Sequence, residues 1–171
     1  AKICRRPQDS AFDANHFRRE KLIFLSKPSP RWLSTEKLVW DDAGELFDDD
    51  FGYVSLTYGK SELQRFFTET LKIPVRPELR HYATAWKNLC LAASPDWQTA
   101  ERKLKTILPR LADSQNEFSG SDWWRELKPQ LRLWTDRRGF LPPARVYVPD
   151  HSAAVELFAG RIHIAFPPKP S

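Results

Sequence analysis

At about residue 60 the hydrophobic pattern of this chain changes period, so neither an all-helical nor an all-strand fold fits its whole length. Before that point the apolar residues come in short runs. KLIFL (21–25), KLVW (37–40) and YVSLTY (53–58) each read as a strand, the last because apolar and polar residues alternate. SKPSP after the first run reads as a turn.

Beyond residue 60 the spacing becomes helical. Ser61 can cap a helix over roughly 62–71 that places Leu63, Phe66, Phe67 and Leu71 on one face. Pro74 and Pro77 break the chain, and Pro77 suits the first turn of a helix running to about residue 93. Its stripe is Leu79, Tyr82, Trp86, Leu89 and Cys90, followed by Ala93. Ser94-Pro95 predicts the next helix start, with Trp97, Ala100, Leu104, Ile107, Leu108 and Leu111 on the apolar face. Pro109 should kink that helix or end its regular part. Residues 113–120 read as a polar turn, and Ser121 can cap a short helix through DWWRELKPQ.

LRLWT (131–135) and ARVYV (144–148) read as two strands of a hairpin with a long connection. A short helix is predicted at about 151–159, closed by Gly160, and RIHIAF (161–166) as a last strand. Runs of each type, rather than strict alternation, predict an α+β fold. Short strands flank a central helical block of three to four helices at about 60–130. The expected organisation is a leading arm (1–20), one α+β domain (21–168) and a tail (169–171).

Composition narrows the function classes. No uninterrupted apolar run reaches the roughly 18 residues of a membrane-spanning helix, and no membrane partner is expected. Residues 1–20 are polar and charged, unlike a signal peptide. Cys4 and Cys90 lie far apart and fit a reduced, cytoplasmic chain. His16, His81, His151 and His163 fall in no ligand spacing and there is no CxxC, so no metal site or cofactor is expected. Met is absent, which fits an excised piece of a longer protein.

The net charge of +5 is unevenly spread, because DDAGELFDDD (41–50) carries six acids and no base. Such a loop is either a solvated face or one that docks on a basic partner; Asp48, Asp49 and Asp50 are the candidate contacts. Asp50-Phe51-Gly52 spells a kinase metal-binding motif, but no companion loop precedes it. Asp42-Ala43-Gly44 matches half of an ATP-site loop and fails at Leu46. Asp150 beside His151 could be an acid–base pair, yet Asp150 stands where a helix N-cap belongs. Cys90 lies on an apolar stripe and reads as a small hydrophobe, not a nucleophile. An enzyme built on Asp150, His151 or His163 is the least supported reading, and no catalytic residue is expected. Trp123 and Trp124 are candidate contacts for a protein partner. Arg132, Trp134, Arg137 and Arg138 interleave an aromatic with cations, the pattern that stacks bases and holds phosphate, and are the candidate nucleic-acid surface.

Three stretches carry a resemblance. EKLIFLSKPSPRWLSTEKLVWDD (20–42), FFTETLKIPVRPELRHYATAWKNL (66–89) and ARVYVPDHSAAVELF (144–158) resemble consecutive segments of the large sacsin-like and Nov-like proteins. The likeness covers most of residues 20–168. It implies an accessory region downstream of a GHKL-type ATPase module, in proteins linked to chaperone-like work. It implies no catalytic residue here, since the ATP-site motifs have no counterpart. The expected function is therefore a non-catalytic interaction or scaffold domain. Its partner would be another protein or another domain of the parent chain, with nucleic-acid binding as the alternative.

Overall fold

A computed structural model describes residues 16, 20–27, 29–41, 51–92, 96–135, 139–148 and 164–165. The architecture is α+β. Residues 1–78 and 79–171 pack as two compact units, a division that falls inside the helical block expected at 60–130.

In the first unit, β1 (Ile23–Leu25) pairs antiparallel with β2 (Arg31–Leu33), Phe24 opposite Trp32. The two-residue period of β1 turns Ile23 and Leu25 into the core and Phe24 outward. β2 lies just past the turn read in SKPSP, and no strand was expected there. A 3-10 turn (Thr35–Lys37) leads into β3 (Leu38–Val39), which pairs in parallel with β4 (Gly52–Tyr53). The core gathers Ile23, Leu25, Leu38, Trp40, Val54, Phe67, Leu71 and Ile73, with Leu33 and Tyr58 at its edge.

The strand expected over YVSLTY ends at Tyr53, and Ser55–Tyr58 forms a helical turn, α1. An alternating run this short is also compatible with one helical turn, and contacts from elsewhere decide it. Val54 is buried and its carbonyl accepts from Tyr58 N–H at 2.8 Å. The Tyr58 hydroxyl donates to Phe24 O at 2.8 Å, and Thr57 Oγ1 accepts from Ser26 N–H at 3.0 Å.

The helix expected at 62–71 also differs. α2 (Ser61–Arg65) starts on Ser61 itself, with Lys60 at the cap position, and continues as a π-helical turn over Phe66–Thr70. The wider turn rotates the apolar face. Phe67 and Leu71 enter the core, while Leu63 and Phe66 are each left 37% exposed. Lys72 then takes a left-handed conformation (φ 59°), and Ile73 N–H closes back on Phe67 O at 3.0 Å. That reversal returns Ile73 to the core beside Leu71.

In the second unit, α3 (Leu79–Leu91) packs against α4 (Trp97–Asp113). α4 buries Ala100, Leu104, Ile107 and Leu111 as the stripe predicts, and Lys103 as well. α3 turns further than expected. His81, Ala83, Ala85 and Leu89 are buried, whereas Tyr82, Trp86 and Cys90 are half-buried. Small alanines let a neighbouring element approach closely, so the most buried face is not the bulkiest one.

Ser94 and Pro95 lie outside the described residues; Asp96 is the N-cap of α4, its carboxylate accepting from Thr99 N–H at 2.9 Å. Those hydrogen bonds hold its carboxyl below the usual range. Pro109 sits inside α4, which continues to Asp113. The expected polar turn at 113–120 contains a short helix, α5 (Gln115–Phe118), which buries Phe118. Ser121 stands at the expected N-cap position of α6 (Asp122–Leu127) but its side chain makes no capping hydrogen bond there; a 3-10 turn over Lys128–Gln130 follows.

β5 (Leu133–Trp134) has a different hairpin partner from the one expected. It pairs antiparallel with β6 (Phe140–Leu141), not with ARVYV. Thr135 N–H donates to Gly139 O at 3.0 Å and closes the connection. Pro142 and Pro143 have no N–H to give a ladder, so the strand stops and a 3-10 turn (Pro143–Arg145) follows. Tyr147 instead bridges Ile164 in parallel, and Thr135 bridges Ala165. The helix expected at 151–159 lies outside the described residues.

Candidate partner surfaces

α6 is the element that positions Trp123 and Trp124. The Ser121 hydroxyl donates to Phe118 O at 2.7 Å and joins α5 to the start of α6. Both indoles then pack on the buried Phe118 ring, with centroids at 5.4 Å for Trp123 and 4.8 Å, edge-on, for Trp124. The indoles lie 6.0 Å apart in an edge-to-face pair. Both are half-buried, so each packs inward and still presents part of its ring. Arg125 and Asp122 form an ion pair on the exposed side of the same helix.

Of the Arg/Trp set expected to bind nucleic acid, the described members Trp134 and Arg132 are both engaged within the fold. Trp134 is only 8% exposed and its ring is held edge-on by Phe140 at 4.9 Å. The reason is strand pairing: Phe140 lies directly opposite Trp134 in the β5–β6 ladder. A buried ring offers no face to a base. Arg132 Nη1 donates to the carbonyls of Pro129 (3.0 Å) and Leu131 (2.9 Å), tying the turn before β5. Its backbone receives α3: Trp86 Nε1 donates to Arg132 O at 3.0 Å, and Arg132 N–H donates to Cys90 Sγ at 3.3 Å. Arg137 and Arg138 lie outside the described residues.

Burial pushes the Cys90 thiol up to about 11, against the lowering effect of its Arg132 contacts. It therefore stays protonated near neutral pH and is a poor nucleophile. Asp48, Asp49, Asp50, Asp150, His151 and His163 lie outside the described residues. The chain on both sides of the acidic run is anchored. Trp40 N–H donates to Pro74 O (2.8 Å), Asp41 N–H donates to Val75 O (3.1 Å), and Arg31 Nη2 donates to Phe51 O (2.9 Å).

Two exposed aromatics were not singled out from the sequence. Trp32 is 58% exposed on the outer face of the β1–β2 hairpin, its ring 5.3 Å from that of Phe24. Trp97, expected on the apolar stripe, is 39% exposed at the first residue of α4. It borders an open concavity lined by Gln98, Glu101, Arg102, Lys105 and Thr106. Alternation through KLIFL was the available signal for an outward Phe24, and therefore for a ring opposite it. Nothing local marked Trp97 as exposed.

Among the described residues no group of three or more His, Cys, Asp or Glu is placed to hold a metal ion, and no helix is long and apolar enough to cross a membrane. No protein-family model, curated protein or solved structure matches the chain.

Proposed function

We propose that this chain is a non-catalytic interaction domain of a large cytoplasmic ATPase of the sacsin-like kind, which holds a protein partner or another domain of its parent chain. The carrying observation is Trp32. A large aromatic more than half exposed on a strand, backed by a second ring, is a costly feature to leave in water and a common anchor at protein interfaces. Trp123 and Trp124 add a second partly covered aromatic surface. The acid run holding Asp48, Asp49 and Asp50 supplies charge for a basic partner.

The test is photocrosslinking in the intact parent protein from a reactive phenylalanine analogue at position 32, alongside its nucleotide hydrolysis. Crosslinks to another segment or protein are expected, with coupling altered by Trp32→Ala. Charge reversal at Asp48, Asp49 and Asp50 should weaken the association and flatten its salt dependence. No crosslink, together with unchanged hydrolysis in Trp32→Ala, would remove the reading.

A further inference from the structure

β1 and β2 form a two-stranded sheet, so each has one edge that the other does not pair. The far edge of β1 is taken by α1: Phe24 O accepts from the Tyr58 hydroxyl at 2.8 Å, and Ser26 N–H donates to Thr57 Oγ1 at 3.0 Å. Successive residues of a strand direct their backbone groups to opposite edges. Phe24 and Ser26 therefore face α1, and Ile23 and Leu25 exchange the ladder bonds with Leu33 and Arg31. Phe24 and Trp32 are then a non-hydrogen-bonded pair, the closer kind, which fits their ring separation of 5.3 Å.

It follows that Trp32 directs its N–H and C=O away from β1. Among the described residues neither group has a partner. Pro30, two residues earlier and so on the same edge, has no N–H to offer, and the open side of an edge strand is where proline is tolerated. An open N–H and C=O on one residue are what an added strand uses. The exposed indole belongs to that same residue, so a side chain directly opposite would lie against it.

We propose that the open edge of β2 takes an extended segment of a protein partner as a third strand, centred on Trp32, with an apolar residue against the indole and carboxylates at the segment's ends. The charge follows from what flanks the edge. Lys27, in the loop before β2, and Lys37, at the end of the turn after it, are both exposed, and among the described residues neither is in an ion pair. Residues 27–37 hold three cations and one acid, Glu36. A second copy fits worse: antiparallel pairing of two β2 strands about Trp32 sets Lys27 opposite Lys37 at both ends, and like charges facing each other destabilise a ladder. The proposal rests on Trp32 as a partner contact, and not on a sacsin-like parent.

The experiment is fluorescence anisotropy of the whole chain with a labelled peptide in which alternating valine and threonine lie between paired aspartates. Two further peptides each change one feature: one is N-methylated at its valines, the other has lysines in place of the aspartates. The first peptide should bind. N-methylation should weaken it about ten-fold or more by removing the donors that the ladder needs. Lysine ends should weaken it and reverse its salt dependence. Trp32→Ala should weaken it about ten-fold or more. Circular dichroism would establish that this variant keeps its fold, and the N-methylated peptide tests the ladder without altering the chain. Equal binding of the first and the N-methylated peptides would overturn strand addition; a loss in Trp32→Ala alongside it would leave the tryptophan contact standing. Equal binding of the lysine-ended peptide would overturn the carboxylate preference. No binding of the first peptide at low salt, or a dimer that Trp32→Ala dissociates in sedimentation equilibrium, would overturn the proposal as a whole.

Discussion

The indole N–H of Trp86 and the backbone carbonyl of Arg132, 46 residues apart in sequence, are joined by a 3.0 Å hydrogen bond that ties α3 to the start of β5. The Cys90 thiol reaches the same carbonyl at 3.6 Å, a longer and weaker contact. Trp86→Phe keeps a six-membered aromatic ring but removes the stronger donor together with the five-membered half of the indole. It should cost about 1–3 kcal/mol, read as a lower urea midpoint with an unchanged slope.

Cys90 supplies a pH-dependent test in the same place. Its thiol is protonated in the folded state up to about pH 11, whereas an unfolded thiol ionises near 9.0. The unfolded chain thus holds fewer protons than the folded one between those values, and stability falls as pH rises from 9 to 11. Below pH 9 this contribution is fully present. In a Cys4→Ser background, Cys90 should react slowly with a thiol reagent at pH 8 and speed up steeply toward pH 11. Fast reaction at pH 8 would contradict the burial.

Gly52 is set where the core leaves no room for a methyl group. A Cβ there would lie 2.6 Å from Leu33 Cδ1 and 2.8 Å from Leu38 Cδ2, and closer still to Leu25 Cδ1. Leu25 and Leu38 are fully buried and have little space to withdraw into. Gly52→Ala should therefore destabilise the chain by about 1–3 kcal/mol despite the better backbone entropy of alanine. Thermal unfolding reads this directly, and an unchanged midpoint would mean that the leucines repack freely.

Lys72 points the other way. It is exposed, and its φ of 59° lies in a region that costs a non-glycine residue about 1–2 kcal/mol. Lys72→Gly should raise stability by roughly 0.5–1 kcal/mol after the greater freedom of glycine in the unfolded chain is subtracted. Lys72→Val should lower it, since a β-branched side chain fits that conformation worst. Denaturant midpoints for the pair would show the opposite signs.

Local periodicity was legible in the order of residues alone, and it recorded part of this fold. The stripe through Ala100, Leu104, Ile107 and Leu111 located α4, and the β1 run located the first strand. The mixture of the two periods made the fold α+β, because each element repeats its pattern over enough residues, or lies next to a clear enough turn, to be read alone. Contacts between distant residues settled the rest. YVSLTY is too short to choose between strand and helix, and Val54, Thr57 and Tyr58 chose through contacts with distant residues. Which tryptophans face water was equally illegible. Trp134 is covered because Phe140 pairs across from it, and Trp32 is open because its strand partner turns Phe24 outward. Hydrophobicity states that a ring prefers cover, but whether cover exists depends on what the rest of the chain brings to it.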